Sequence, residues 1–160
     1  MTMAVETPAR IRALLALYRE SHYDVELPDG GIATIRVGAL APPSIVRWLG
    51  TSTGVYMTAC NPHSRSLPRE ENEQRLAELC SELRARKGRF LEGAGHVPGA
   101  TWREPSVLVS GIDEDGADAL ARRHQQNCTV IVRKAAPATM RIYRPDWQAA
   151  IGATADIEWA

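Results

Sequence analysis

The sequence predicts an α+β fold, and three observations carry that prediction. From residue 55 onward the apolar patterning reads strand, helix, strand, strand, helix, strand, and then one more strand. Upstream, residues 23–27 and 32–37 alternate as strands do on either side of Pro28-Asp29-Gly30-Gly31, the clearest hairpin signal in the chain. Ahead of the hairpin, Ile11, Leu14, Leu15 and Tyr18 recur at helical spacing. A β-α-β-β-α-β order is that of a split β-α-β, ferredoxin-like sandwich, with two helices on one face of a largely antiparallel sheet. The N-terminal helix and β-hairpin extension would lengthen that sheet or cover its free edge.

Each element has a local reason. Thr7 followed by Pro8 reads as an N-cap and first helical position, so a helix is expected over residues 8–20. After a breaker segment at 38–43, Ser44 is expected to cap a short helix through Leu49. The apolar run 55–60 reads as a strand that Pro62 ends, because proline cannot donate to a ladder. The longest helix is expected from about residue 68 to 87, with Leu76, Leu79, Cys80 and Leu83 as its buried stripe and Gly88 taking the left-handed stop. Residues 89–92 read as a short strand and 93–101, rich in glycine, as a loop. A strand centred on Leu108 follows, then a helix capped by Asp113 that ends near His124. Residues 128–133 read as a buried strand and 139–143 as a further strand after a turn at Pro137. The tail 146–160 carries only a weak helical signal around Trp147.

A chain of 160 residues fits one domain: a core at 55–143, a helix and hairpin at 8–37 and a tail at 146–160. Nineteen basic against nineteen acidic residues leave no net field to draw the molecule to phosphate backbones or anionic lipid. Nucleic acid is therefore disfavoured as a partner, and no apolar run approaches the length of a membrane span. The amino end lacks the charged leader and apolar core of an export signal. Cys60, Cys80 and Cys128 are too few, odd in number and too widely spaced for a disulfide framework. A cytoplasmic location is the expectation.

The strongest site signal is the stretch 55–75, which passes from an apolar strand through a polar loop into an amphipathic helix. Asn61 closes the strand, and Asn72 lies four residues before Leu76, so its amide is expected to point inward beneath the Asn61 loop. Glu71 and Arg75 have the i,i+4 spacing of a surface ion pair, while Arg75 is also placed to reach a pocket. Glu104 and Ser106 open one strand and Gln126 leads into another, so Asn61, Glu104 and Gln126 are expected at one rim of the sheet. The spacing of Cys60 and His63 lacks the further ligands of a zinc site, no G-x-S-x-G elbow surrounds a serine, and Gly93-Ala94-Gly95 opens no helix. Neither a metal nor a cofactor is expected.

TACNP at 58–62, EEN at 70–72 with Arg75 following, WREPSVLVSG at 102–111 and ALARRHQQN at 119–127 together resemble a bacterial family, domain of unknown function 3293. The resemblance spans residues 18–133, with His124-Gln125 standing where the family pattern has an aromatic-glycine pair. It implies a small bacterial cytoplasmic domain and emphasises Asn61, Asn72, Glu104, Ser106 and Gln126.

Two functions remain open at this point. One is binding of a small polar or anionic ligand by Asn61, Asn72, Arg75, Ser106 and Gln126, with Glu104 as general base if a reaction occurs. The other is a non-catalytic protein-interaction or regulatory module, as in host-phage conflict, that uses a sheet edge or the tail bearing Trp147.

Overall fold

In the computed structural model, residues 5–160 are described. The export-signal reading begins at Met1, and residues 1–4 lie outside the described residues. The fold is α+β, with one eight-stranded sheet and four α-helices. In chain order the elements are α1 (Pro8–Glu20), β1 (His22–Glu26), β2 (Ile32–Ile35), α2 (Pro43–Leu49), β3 (Gly54–Met57), α3 (Arg69–Ala85), β4 (Arg89–His96), β5 (Glu104–Ser110), α4 (Glu114–Arg123), β6 (Cys128–Arg133), β7 (Ala136–Ile142) and β8 (Ile157–Trp159). Two short 3-10 turns, Pro62–Ser64 and Pro145–Ala150, complete the fold. No helix among the described residues is long and apolar enough to cross a membrane.

The strands lie in the order β2-β1-β4-β5-β3-β6-β7-β8. Neighbours are antiparallel except for the parallel pair β7 and β8. The hairpin of β1 and β2 extends the sheet beyond β4. Past β2, Val37 bridges Ala138 of β7, and Gly38 N donates to Ala138 O at 2.8 Å. One flank of the sheet thus curls round to touch the other.

The two long helices of this region, α3 and α4, cover one face of the central strands as expected, and the opposite face is buried as well. Val55 and Met57 of β3, Val107 and Val109 of β5 and Ile131 of β6 pack against Leu79 and Leu83 of α3 and Leu120 of α4. The alternate residues Tyr56, Leu108 and Val130 face the inside of the curl, where Ile45 and Leu49 of α2 meet Val25 and Ile35. Continuous apolar runs such as Gly54–Met57 are what a strand covered twice requires. On the flank, Ile11, Leu14 and Leu15 of α1 pack on Met140, Ile142 and the fully buried Trp147. The tail is therefore part of the core.

Several local expectations are corrected with physical reasons. Strand β4 runs on to His96 through Gly93 and Gly95, because β1 pairs alongside it; a Cβ at Gly93 would stand 1.9 Å from Asp24 O. Lys87, at φ 58°, takes the left-handed stop of α3, and Gly88 is small because Ile112 presses on it. Ser44 is not a cap: α2 begins after Pro42 with no side-chain capping bond. Strand β3 ends at Met57, and residues 58–60 form a loop. Pro137 lies inside β7, beside a register shift between Ile131 and Arg133, where a missing N-H is tolerated.

Candidate functional site

The antiparallel pairing of β3 with both β5 and β6 brings the end of β3 and the starts of β5 and β6 to one mouth of the sheet. There the loop after β3 is held in an unusual shape. Asn61, His63 and Ser64 have φ of 48°, 52° and 58°, three left-handed non-glycine residues within four positions. Polar side chains hold this shape. Asn61 N donates to Asn72 Oδ1 at 2.9 Å, while Asn61 Oδ1 accepts from Asn72 Nδ2 at 2.8 Å and from Leu67 N at 3.0 Å. With its oxygen engaged in this way, Asn61 turns Nδ2 towards Glu104 and donates to Oε2 at 2.8 Å. His63 N also donates to Gln125 O at 2.7 Å, tying the loop to the turn after α4.

A chamber of about 80 Å³ opens at this mouth, and Asn61, Glu104, Ser106 and Gln126 all line it. It continues the polar theme with Tyr18 of α1, Tyr23 of β1 and Tyr56 of β3, and with Ser64, Asn127 and Cys128. Outside it lies a vestibule of about 400 Å³ that adds Leu17, Trp102 and Arg103; Tyr18, Tyr23, Asn61, Ser64, Gly95 and Glu104 line both spaces. Burial pushes the Glu104 carboxyl above the usual carboxylate range, against the opposing hydrogen bond from Asn61. Burial likewise raises the Tyr18 phenol to about 12 and the Tyr23, Tyr56 and Cys128 groups above their ordinary values. Among the described residues, Glu104 is the one carboxylate lining the chamber, and no Lys, Arg or His lines it.

Not every residue expected at the site is there. Arg75 lines neither space: Nε donates to Ala59 O at 2.6 Å and Nη2 to His124 O at 2.7 Å, so the guanidinium staples two loops together. Its expected role as a ligand-binding arginine is withdrawn. Asn72 is a brace behind Asn61, facing a wider groove of about 820 Å³ beside α3. That groove is larger, but the cations and acids on it include the exposed pair Arg69 and Glu73, and the half-buried, perturbed carboxyl belongs to the smaller chamber. Cys60 and His63 turn to different partners, Cys60 Sγ to backbone carbonyls and His63 Nδ1 to Asn127. Among the described residues no group of three or more His, Cys, Asp or Glu side chains is arranged to hold a metal ion.

Other residues at the chamber escaped the sequence reading. Asn127 donates to Tyr18 Oη at 3.1 Å and to Ser64 Oγ at 3.2 Å, while its Oδ1 accepts from the buried Arg144 at 3.1 Å. Arg144 also pairs with Glu6 and Asp146, so the C-terminal segment reaches the chamber through Asn127. Tyr18 was legible only as part of an apolar helix face. The adjacency of Gln126 and Asn127 was the one signal that pointed at Asn127.

Residues 57–129 match the family model described as protein of unknown function (DUF3293). That span begins in β3, ends in β6 and contains Asn61, Asn72, Glu104, Ser106, Gln126 and Asn127. No curated protein and no solved structure matches the chain.

Proposed function

We propose that the matched domain of residues 57–129, completed by Tyr18 and Tyr23 from the N-terminal elements, binds a small polar molecule in the chamber beside Glu104. One observation carries this reading: a half-buried carboxyl with a raised pKa lines both the chamber and the vestibule, with one oxygen fixed by Asn61. The other oxygen is not among the side-chain atoms sealed from solvent, so an entering molecule can reach it. Glu104 Oε1 accepts no hydrogen bond among the described residues. A carboxylate of raised pKa is also a stronger base than a solvated one, which makes Glu104 the general base or acid if the bound molecule reacts. The framework that supports the site is, on this reading, a split β-α-β sandwich: strands β6-β3-β5-β4 adjoin in that order, all antiparallel, as the fold requires.

A panel of small polar metabolites scored by thermal shift tests the proposal. A ligand at a hundredfold its Kd adds about 2.7 kcal/mol, or a rise of roughly 5–10 °C in a domain of this size. The expected result is at least one compound that stabilises the wild type and fails to stabilise Glu104→Gln. If every stabilising compound acts equally on both proteins, the chamber is not the binding site.

A further inference from the structure

The charge of the chamber lining is lopsided, and most of its hydrogen-bond donors are taken up within the protein. Tyr56 Oη donates to Asp24 O, Tyr23 Oη to Tyr18 O, Thr58 Oγ1 to Pro105 O and Ser106 Oγ to Glu104 O. Both N-H bonds of Gln126 go to Cys60 O and His124 O, and both of Asn127 go to Tyr18 and Ser64. The two carbonyls fix which end of the Gln126 amide is nitrogen, and the Arg144 guanidinium that donates to Asn127 Oδ1 fixes the Asn127 amide. Among the described residues two donors remain, the second N-H of Asn61 Nδ2 and one hydroxyl hydrogen of the Tyr18–Ser64 pair, and Glu104 Oε1 and Gln126 Oε1 accept nothing. The charge decides between ligands: an anion would meet a carboxylate with no cation in the lining to offset it.

Resting on the reading of the chamber as a ligand site, we infer that its ligand is a small organic cation whose primary ammonium group seats against Glu104. The ammonium brings three donors and a positive charge to a lining that offers acceptors, one carboxylate and no cation. An ammonium head has about the volume of a water molecule, roughly 30 Å³, which the chamber of about 80 Å³ admits. Three tyrosines, Tyr18, Tyr23 and Tyr56, also line the chamber, and an aromatic lining tolerates a desolvated cation better than an aliphatic one. The vestibule, with Leu17 and the exposed Trp102, takes the apolar remainder of the molecule. The titratable groups facing Glu104 are Tyr18 from α1, Tyr23 from β1, Tyr56 from β3, Cys60 beyond it and Cys128 from β6, with Arg103 next to it in sequence at the vestibule. Burial raises the tyrosine and cysteine groups, so they stay neutral through the pH range in which Glu104 ionises. Binding of the cation therefore requires Glu104 to lose its proton, and affinity rises with pH as the carboxyl ionises.

The test uses the full chain and three probes with one tail: n-butylammonium, 1-butanol and butyrate. Amide NMR shifts of residues 58–61, Glu104, Ser106 and 126–128 locate binding and give Kd. The expected result is n-butylammonium binding at these residues at least about tenfold more tightly than the other two, the equivalent of one charge-assisted hydrogen bond. Glu104→Gln should abolish the preference. Should that variant fail to fold, calorimetry of the wild type in two buffers of different ionisation enthalpy reads the same step, with proton release expected on binding. Equal or tighter binding of butanol or butyrate at these residues overturns the cation while leaving the small-ligand reading intact. No perturbation by any probe also overturns the cation, and the metabolite panel then decides separately whether the chamber binds anything.

Discussion

Asn61 and Glu104, separated by 43 positions in the chain, meet in a 2.8 Å hydrogen bond from Asn61 Nδ2 to Glu104 Oε2. The contact joins a left-handed loop residue to the first residue of a strand, where Glu104 lines both the chamber and the vestibule. It fixes one carboxylate oxygen and leaves the other to face whatever enters. Glu104 is in this sense held ready by the protein and incompletely satisfied by it.

The pH dependence of stability should reveal this state. The folded pKa of Glu104 lies above its unfolded value, so its contribution is complete below the unfolded pKa and is lost as pH rises through the folded one. Asp118, Asp156 and Glu158, whose arginine partners lower their pKa values, act in the opposite sense and lose their contribution as pH falls. Glu104→Gln should therefore flatten the loss on the neutral side and leave the acid limb in place. Urea denaturation of both proteins from pH 3 to 8 checks this; a variant less stable than wild type at every pH would contradict it.

Arg75 should behave as a staple and not as a ligand-binding group. Arg75→Ala removes charge-assisted bonds to Ala59 O and His124 O, a loss of about 3–6 kcal/mol at the usual worth of two such bonds. Denaturation midpoints measure the loss. Any ligand found by the panel should still bind the folded fraction with wild-type affinity.

Arg144 orients the chamber from a distance through Asn127. Arg144→Met leaves Glu6 and Asn127 without their partner, which typically costs about 3 kcal/mol or more for a buried charge network. Freed from Arg144, the Asn127 amide can rotate away from Tyr18 and Ser64, so the Tyr18 ring resonances should broaden or shift. Unchanged stability together with an unchanged Tyr18 spectrum would remove Arg144 from the account.

Trp147 separates a structural tail from a recognition tail. It has no exposed surface and packs with α1 and β7, so Trp147→Ala should destabilise the fold by about 3–5 kcal/mol. A tail that served a protein partner would tolerate the change in the isolated chain and lose only the partner. Thermal unfolding of the purified variant distinguishes the two.

Local chemistry was readable where it acts over a few residues. Thr7 with Pro8, Asp113, and the turn at Pro28-Asp29-Gly30-Gly31 each carry their signal within one turn, and the helices and hairpin they mark are present. The strand β6 was equally plain because its apolar run is bounded by polar residues. What depended on remote partners was not readable. Gly93 looks like a loop residue until β1 lies against it, and nothing local says that Val37 reaches Ala138 to curl the sheet. At the chamber Asn61 and Glu104, and behind them Asn72, stood out because polar groups at strand ends and on a buried helical stripe need partners. Arg75 was misjudged for the same reason: its partners are backbone carbonyls supplied by two separate loops, which side-chain types do not disclose.

The most direct test of the central claim is the carbon-13 resonance of the Glu104 carboxyl, assigned by its disappearance in Glu104→Gln and followed through pH and through addition of n-butylammonium. The account predicts titration above the ordinary glutamate range in the free protein, and a fall in that pKa with a shifted resonance when the cation is added. A carboxyl that titrates like a solvated glutamate and is unmoved by the cation would contradict it.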